Sequence, residues 1–217
     1  MDYDGLKYSL KAIATCVDDA RLLEGVGGYL HDIQGYTLMK MACDGPGSGA
    51  IVEIGSFMGK STCYMALGTQ RARREMVYAV DHFMGSPEHQ KGQGCEVQAI
   101  VETGSTFHLF KENIARVGVS EYVNPIMASS REAAALWEQP IRLLFIDGDH
   151  SYEASKEDFE SWSPFVVPGG LIAFHDIGHW PGVTQFYAEL LSNAPNYTQI
   201  LGVAGLNVVV KGDEAIP

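Results

Sequence analysis

Apolar residues along this chain recur with two periods, and the alternation between them lays out an architecture. Leu6, Leu10, Ile13 and Val17 fall at helical spacing, and Leu30, Ile33, Leu38 and Met41 do so more loosely. This predicts two helices ahead of the first strand. Short apolar runs follow at Ala50–Ile54, Val77–Val80, Val123–Met127, Leu143–Ile146 and Leu171–Phe174. Helical patterns separate them, one starting near Ser61 and others marked by Phe107, Phe110 and Ile114, by Tyr152, Phe159 and Trp162, and by Val183, Phe186 and Leu190. Tyr197–Leu201 and Leu206–Val210, joined by a Gly-containing turn, read as a closing antiparallel hairpin. Leu143–Ile146 is apolar without interruption, as a strand buried on both faces must be. Alternating strands and helices predict an α/β fold: a seven-stranded, mostly parallel sheet with helices on both faces and a C-terminal antiparallel hairpin. The expected organisation is a single domain over 1–217, with an N-terminal helical cap at 1–48 and a core at 49–217. The polar stretch His82–Ser105 reads as a long loop, and such loops often serve as lids.

Composition narrows the partners. A formal charge of −12 over 217 residues argues against a nucleic-acid partner, because that binding rests on phosphate neutralisation by Lys and Arg. The largest basic cluster, Arg71-Ala72-Arg73-Arg74, reads as a helix end whose cations complement the dipole. Cys16, Cys43, Cys63 and Cys95 lack Cys-x-x-Cys spacing and read as free thiols. No signal-peptide pattern or membrane-length apolar run is present, so the expectation is a cytoplasmic protein with no membrane partner. A homo-oligomer is left open.

The candidate chemistry starts at Glu53-Ile54-Gly55-Ser56-Phe57-Met58-Gly59-Lys60-Ser61. A P-loop needs four residues between its first Gly and Gly-Lys-Ser, and only Ser56, Phe57 and Met58 intervene here. The dinucleotide fingerprint fails as well, since Phe57 stands where its second Gly belongs. What remains is an acidic residue on a strand, followed by Gly-x-x-x-Gly opening a helix. Further along stand Val80-Asp81, Ile146-Asp147-Gly148-Asp149-His150-Ser151-Tyr152, and Pro168-Gly169-Gly170 leading to His175-Asp176.

In this order the motifs resemble the class I S-adenosylmethionine (SAM) methyltransferases, over roughly residues 35 to 210. More narrowly, they are similar to the small bacterial family of sugar and macrolide O-methyltransferases and cephalosporin-hydroxylase-like proteins. The resemblance implies a Rossmann-like core, SAM as cofactor and a small hydroxylated molecule as substrate. Glu53, Gly55, Ser56 and Gly59 would then surround the methionine portion. Asp81 would accept the ribose hydroxyls, with its spacing from Gly55 near the ~20 residues usual for such folds. Other readings stand beside these: Glu53 as the partner of an amide or a lysine, Asp81 as a turn former. Ser129 and Ser130 occupy the adenine end, where Ser129 departs from the family's Asp-Ser pair. Trp137 is either an adenine platform or plain core.

The resemblance further implies a divalent cation, magnesium or manganese, at Asp147, His175 and Asp176, with His150 as general base. His175 departs from the family, which has a carboxylate there; an imidazole admits manganese or iron as readily as magnesium. Alternatively, His175 and Asp176 satisfy loop amides, and His150 caps the following helix. His179-Trp180-Pro181-Gly182 is expected to border the substrate entrance, while His31, His82, His89 and His108 read as surface or loop histidines. A SAM-binding protein without metal-dependent catalysis is the main alternative function, and a P-loop-like nucleotide binder the weaker one.

Overall fold

The computed structural model describes residues 18–213. The helix expected from Leu6 to Val17 lies outside the described residues. Seven strands form one sheet: β1 (Ala50–Ile54), β2 (Val77–Asp81), β3 (Val123–Met127), β4 (Ile141–Ile146), β5 (Val166–Phe174), β6 (Tyr197–Val203) and β7 (Leu206–Lys211). Their order is β3-β2-β1-β4-β5-β7-β6. The pairs from β3 to β5 are parallel, and β7 runs antiparallel between β5 and β6. After a helical stretch at 18–23, the helices are α1 (Asp32–Asp44), α2 (Lys60–Ala72), α3 (Gln98–Thr103), α4 (Phe107–Val117), α5 (Ser130–Ala135), α6 (Tyr152–Trp162) and α7 (Pro181–Asn193).

Every residue of the central strands β1 and β4 is buried, because helices cover both faces of the sheet. Alternate side chains feed two separate cores. Ile51, Leu143 and Phe145 pack with Tyr64, Phe110 and Ile114 on the α1/α2/α4 side. Val52, Ile54, Leu144 and Ile146 pack with Phe159, Trp162 and Phe186 on the α6/α7 side. By the same alternation Glu53 points, with Ile51, beneath α2. Pro125 is tolerated in β3 because that strand is the sheet's edge.

Two elements differ from the sequence reading. The stretch His82–Ser105 carries a 3-10 turn at Pro87–His89 and the short helix α3, closed by Gly104 in a left-handed conformation. β5 begins at Val166, ahead of Pro168-Gly169-Gly170, and the pairing with β4 jumps from Val166 to Leu171. The Pro-Gly-Gly residues therefore bulge out of a strand rather than precede it. No helix among the described residues is long and apolar enough to cross a membrane.

The chain runs from β1 outward through β2 and β3, then returns to add β4 and β5 on the other side. This reversal opens a crevice at the carboxyl ends of β1 and β4, where ligands of open α/β sheets bind.

Candidate active site

A cavity of 510 Å³ follows the carboxyl ends of the strands, from Ser129 past β3 to Trp180 past β5. Its floor begins at the turn after β1. Gly55 has φ of 86°, and a Cβ there would stand 2.0 Å from the Asp147 carbonyl oxygen. Glycine at 55 is thus demanded by the close passage of β1 and β4, before any ligand is considered. Phe57 is left-handed too, with φ of 48°, which is costly for a bulky side chain.

Asp81 holds this turn. Its Oδ2 accepts from the amides of Ser56 at 2.9 Å and Phe57 at 2.7 Å, and its Oδ1 from Phe83 at 2.6 Å. The carboxylate is therefore a turn former while it also lines the cavity. Lys60 Nζ donates to the Leu30 carbonyl at 2.7 Å, which ties the segment before α1 over the site. In a P-loop that lysine would face phosphates.

Gly55, Ser56, Asp81, Ser129, Ser130, Asp147, His150, His175 and Asp176 line the cavity, whereas Glu53 and Gly59 do not. Glu53 is fully buried under the turn, accepting from the Thr62 hydroxyl, and its Oε1 has no hydrogen-bond partner. Burial pushes its carboxyl up to about 7 against the opposing pull of the Ser61, Thr62 and Ser56 hydroxyls. Gly59 is the left-handed N-cap of α2, and a Cβ there would press on the Phe110 ring at 3.0 Å.

At the β3 end, Ser129 caps α5 and shares a capping box with Glu132. Ser130 Oγ accepts from Trp162 Nε1 at 2.9 Å. Trp137 lies among Tyr78 and Trp162, with its indole N–H donating to the Gln139 carbonyl; it is core, away from the cavity lining.

Across the crevice, four of the candidate residues meet. His175 Nδ1 lies 2.9 Å from Asp147 Oδ1 and 3.5 Å from Asp176 Oδ1. His150 Nε2 lies 3.1 Å from Asp176 Oδ2, and its Nδ1 lies 3.2 Å from Glu88 Oε1. Trp180 stacks flat on the His150 ring at 4.5 Å. Asp176 is held at φ of 61°, a strained turn that aims its carboxylate between the two imidazoles. Ser151, not His150, caps α6, through its hydroxyl to the Ala154 amide.

The charges are strongly coupled. Burial raises the Asp147 carboxyl. Burial would lower both imidazoles, but the carboxylates outweigh it, so His150 is raised and His175 is pushed up to about 10. Asp176 is held well below the usual carboxylate range by the two histidines, despite its burial. Asp147, His175 and Asp176 each offer one ligand atom, all within 4.8 Å of one another. Opposite ligands in a shell with bonds of about 2.1 Å stand ~4.2 Å apart, so the three side chains would have to draw in slightly around an ion. His175 Nε2 is buried without a partner, so these ligand types could hold a divalent cation once the imidazole gives up its proton.

Sequence reasoning missed Glu88 and read His89 as a surface or loop histidine. That ring is instead buried at the cavity wall, stacking on Phe57 at 5.0 Å and on the exposed Tyr29 at 5.7 Å. The 3-10 turn thus sends Glu88 to His150 and His89 to the glycine turn. Ser86-Pro87, a turn opening inside the polar stretch, was the available signal. Arg71 and Arg74 differ from the solvated helix end expected of them: Arg71 pairs with Asp19, and Arg74 donates to the Gly45 carbonyl at 2.7 Å. His179 packs against Gly205 outside the cavity lining.

The family profile described as a methyltransferase domain matches residues 52–177, a span from β1 to just past Asp176. The chain belongs to this methyltransferase-domain family. Uncharacterized protein y4gI of Sinorhizobium fredii is 30% identical over 150 residues, which cover 67% of this chain and 15% of that protein. The chain thus spans only a small part of that relative's length. The O-methyltransferase from Bacillus cereus, solved in complex with SAH, superposes with a TM-score of 0.60 at 19% identity, covering 91% of each chain. CalS11, a calicheamicin methyltransferase, does so with 0.63 at 18% identity, covering 94% of this chain and 93% of its own. At these identities the two structures show that the fold is shared.

Proposed function

We propose that this domain transfers the methyl group of SAM to a hydroxyl oxygen of a small molecule such as a sugar, polyketide or catechol. The observation that carries this reading is a single cavity joining the glycine turn and Asp81 to the Asp147–His150–His175–Asp176 cluster. Gly55, Ser56 and Asp81 line the stretch for the methionine and ribose, with Glu53 acting through the turn from below. Ser129 and Ser130 border the adenine end. SAM already carries a good leaving group, so the protein has to supply proximity, in-line orientation and a deprotonated nucleophile. The acceptor oxygen attacks the methyl carbon, the carbon–sulfur bond breaks, S-adenosylhomocysteine (SAH) leaves, and the acceptor's proton passes to His150.

His150 can take that proton only when neutral, and the carboxylates around it favour its charged form. A magnesium or manganese ion on Asp147, His175 and Asp176 would polarise the acceptor hydroxyl and offset this negative charge. A metal-free version is favoured by one feature: the carboxylates are already balanced by the imidazoles within the cluster. Turnover of labelled SAM against hydroxylated sugars and catechols, with and without a chelator, separates the two. Loss of activity with chelator and its return with magnesium or manganese supports the cation; undiminished turnover in metal-free protein rejects it. His150→Ala should leave SAH affinity intact and lower turnover by ~100-fold or more. The wild-type rate should rise with pH along a limb lying above the ordinary histidine value of ~6.5.

A further inference from the structure

Asp158 is a buried carboxylate that the proposed reaction centre does not use. It stands on α6, is 7% exposed and lines the cavity. Its Oδ2 would lie 3.0 Å from a Cβ at position 148, so the absence of a side chain at Gly148 lets it reach the turn after β4. Trp162, one turn along α6 from Asp158, donates through Nε1 to Ser130 Oγ at 2.9 Å, which sets the serine beside the Asp158 carboxylate. A carboxylate has about four lone-pair sites, so a neighbouring hydroxyl leaves most of its acceptor capacity free.

Strand order says what stands opposite. Along the carboxyl edge the sites run from Ser129 and Ser130 after β3, through Asp81 after β2 and Gly55 after β1, to Asp147 after β4 and Asp176 after β5. A ligand with its ribose near Asp81 and its reactive methyl toward the β4–β5 cluster must extend its base toward β3. The contact with Ser130 puts Asp158 at that end. Of the other polar side chains there, Ser129 belongs to its capping box, Asp149 accepts from the Ser151 amide at 2.8 Å, and Glu157 pairs with Arg131 at 3.2 Å on the exposed rim. An exocyclic amine entering this pocket needs an acceptor, since a buried donor left unpaired forfeits its hydration.

We infer that Asp158 accepts from the exocyclic amino group of the adenine and so selects an aminopurine cofactor, an inference that rests on the SAM reading above. Burial lifts the Asp158 carboxyl to about 6, so it remains mostly ionised at neutral pH, as a strong acceptor should be. Ser130 is then a positioning residue that orients the carboxylate.

The test is calorimetric titration of the full chain with SAH and with its 6-desamino analogue, in which purine replaces adenine. Wild type should bind the analogue ~10-fold or more weakly, the scale of one lost hydrogen bond to a charged group. In Asp158→Ala the ratio should fall to near one, through weaker SAH binding and little change for the analogue. Should that variant not fold, Asp158→Asn keeps the shape. Its amide oxygen, taken by Ser130, leaves a donor facing the purine, so the ratio again falls to near one. A wild-type ratio near one, or a ratio that survives in either folded variant, overturns the inference while leaving the SAM reading intact. Failure of wild type to bind SAH removes the SAM reading, and this inference with it.

Discussion

Glu53 shows how one side chain's surroundings set its chemistry. It occupies an inward position on a central strand, where every neighbouring position is apolar or covered by α2. Burial raises its carboxyl from an ordinary 4.5 to about 7. Between those values the folded protein holds a proton that the unfolded chain has released. This contribution to stability is therefore fully present below pH ~4.5 and is lost as pH rises through ~7. Glu53→Gln keeps an acceptor for the Thr62 hydroxyl and removes the titration. The difference in unfolding free energy between variant and wild type should grow from pH 4.5 to 8, in the variant's favour, by on the order of 3 kcal/mol. Denaturant melts at several pH values check it, and parallel curves would show that Glu53 ionises normally.

At the scale of elements, the junction between α1 and β4 depends on Arg142. Its guanidinium is fully buried, pairs with Glu75 at 2.9 Å and donates to the Met41 and Ala42 carbonyls at the end of α1. The Ala42 carbonyl is a helix-end acceptor without an intrahelical partner, while the Met41 carbonyl also accepts from the Gly45 amide at 2.8 Å. Arg142→Ala would orphan the Ala42 carbonyl and leave Glu75 with a weaker partner in Arg74. Glu75 can still reach water, so the expected loss lies at the lower end of the ~3–5 kcal/mol typical of a broken buried pair. Thermal unfolding of the variant measures it; a melting point unchanged within a degree would mean that α1 is held by its apolar face alone. Periodicity identified α1 and β4 but not their arginine fastener, because a strand reads as apolar around a single charged residue.

At the scale of the whole molecule, the cavity should respond to its ligand as a unit, since its walls come from every parallel strand of the sheet. SAH at about 100 times its dissociation constant should stabilise the fold by ~2.7 kcal/mol, raising the melting temperature by several degrees. ATP at the same concentration should give no comparable shift, because Lys60 is held by the Leu30 carbonyl. A shift with ATP alone would return the glycine turn to a phosphate-binding role.

The sequence determined the strand cores, their buried character and the longer helices between them, because each is written in local periodicity that burial on one or two faces enforces. The short helices α3 and α5 and the Pro-Gly-Gly bulge carry no such period. It also marked the strand ends at Gly55, Asp81, Asp147 and Asp176, where a run of apolar residues stops at a turn or a charge. Only the tertiary structure decided what those ends touch. Asp81 is bound to the turn amides of another strand, and Glu53 lies beneath its turn rather than in the cavity. Glu88, His89 and Asp158 reach the cavity from a 3-10 turn and a helix face distant in sequence. Such contacts follow from strand order and close packing, which set a side chain's partners and its protonation state across the sheet, and no local pattern along the chain encodes either.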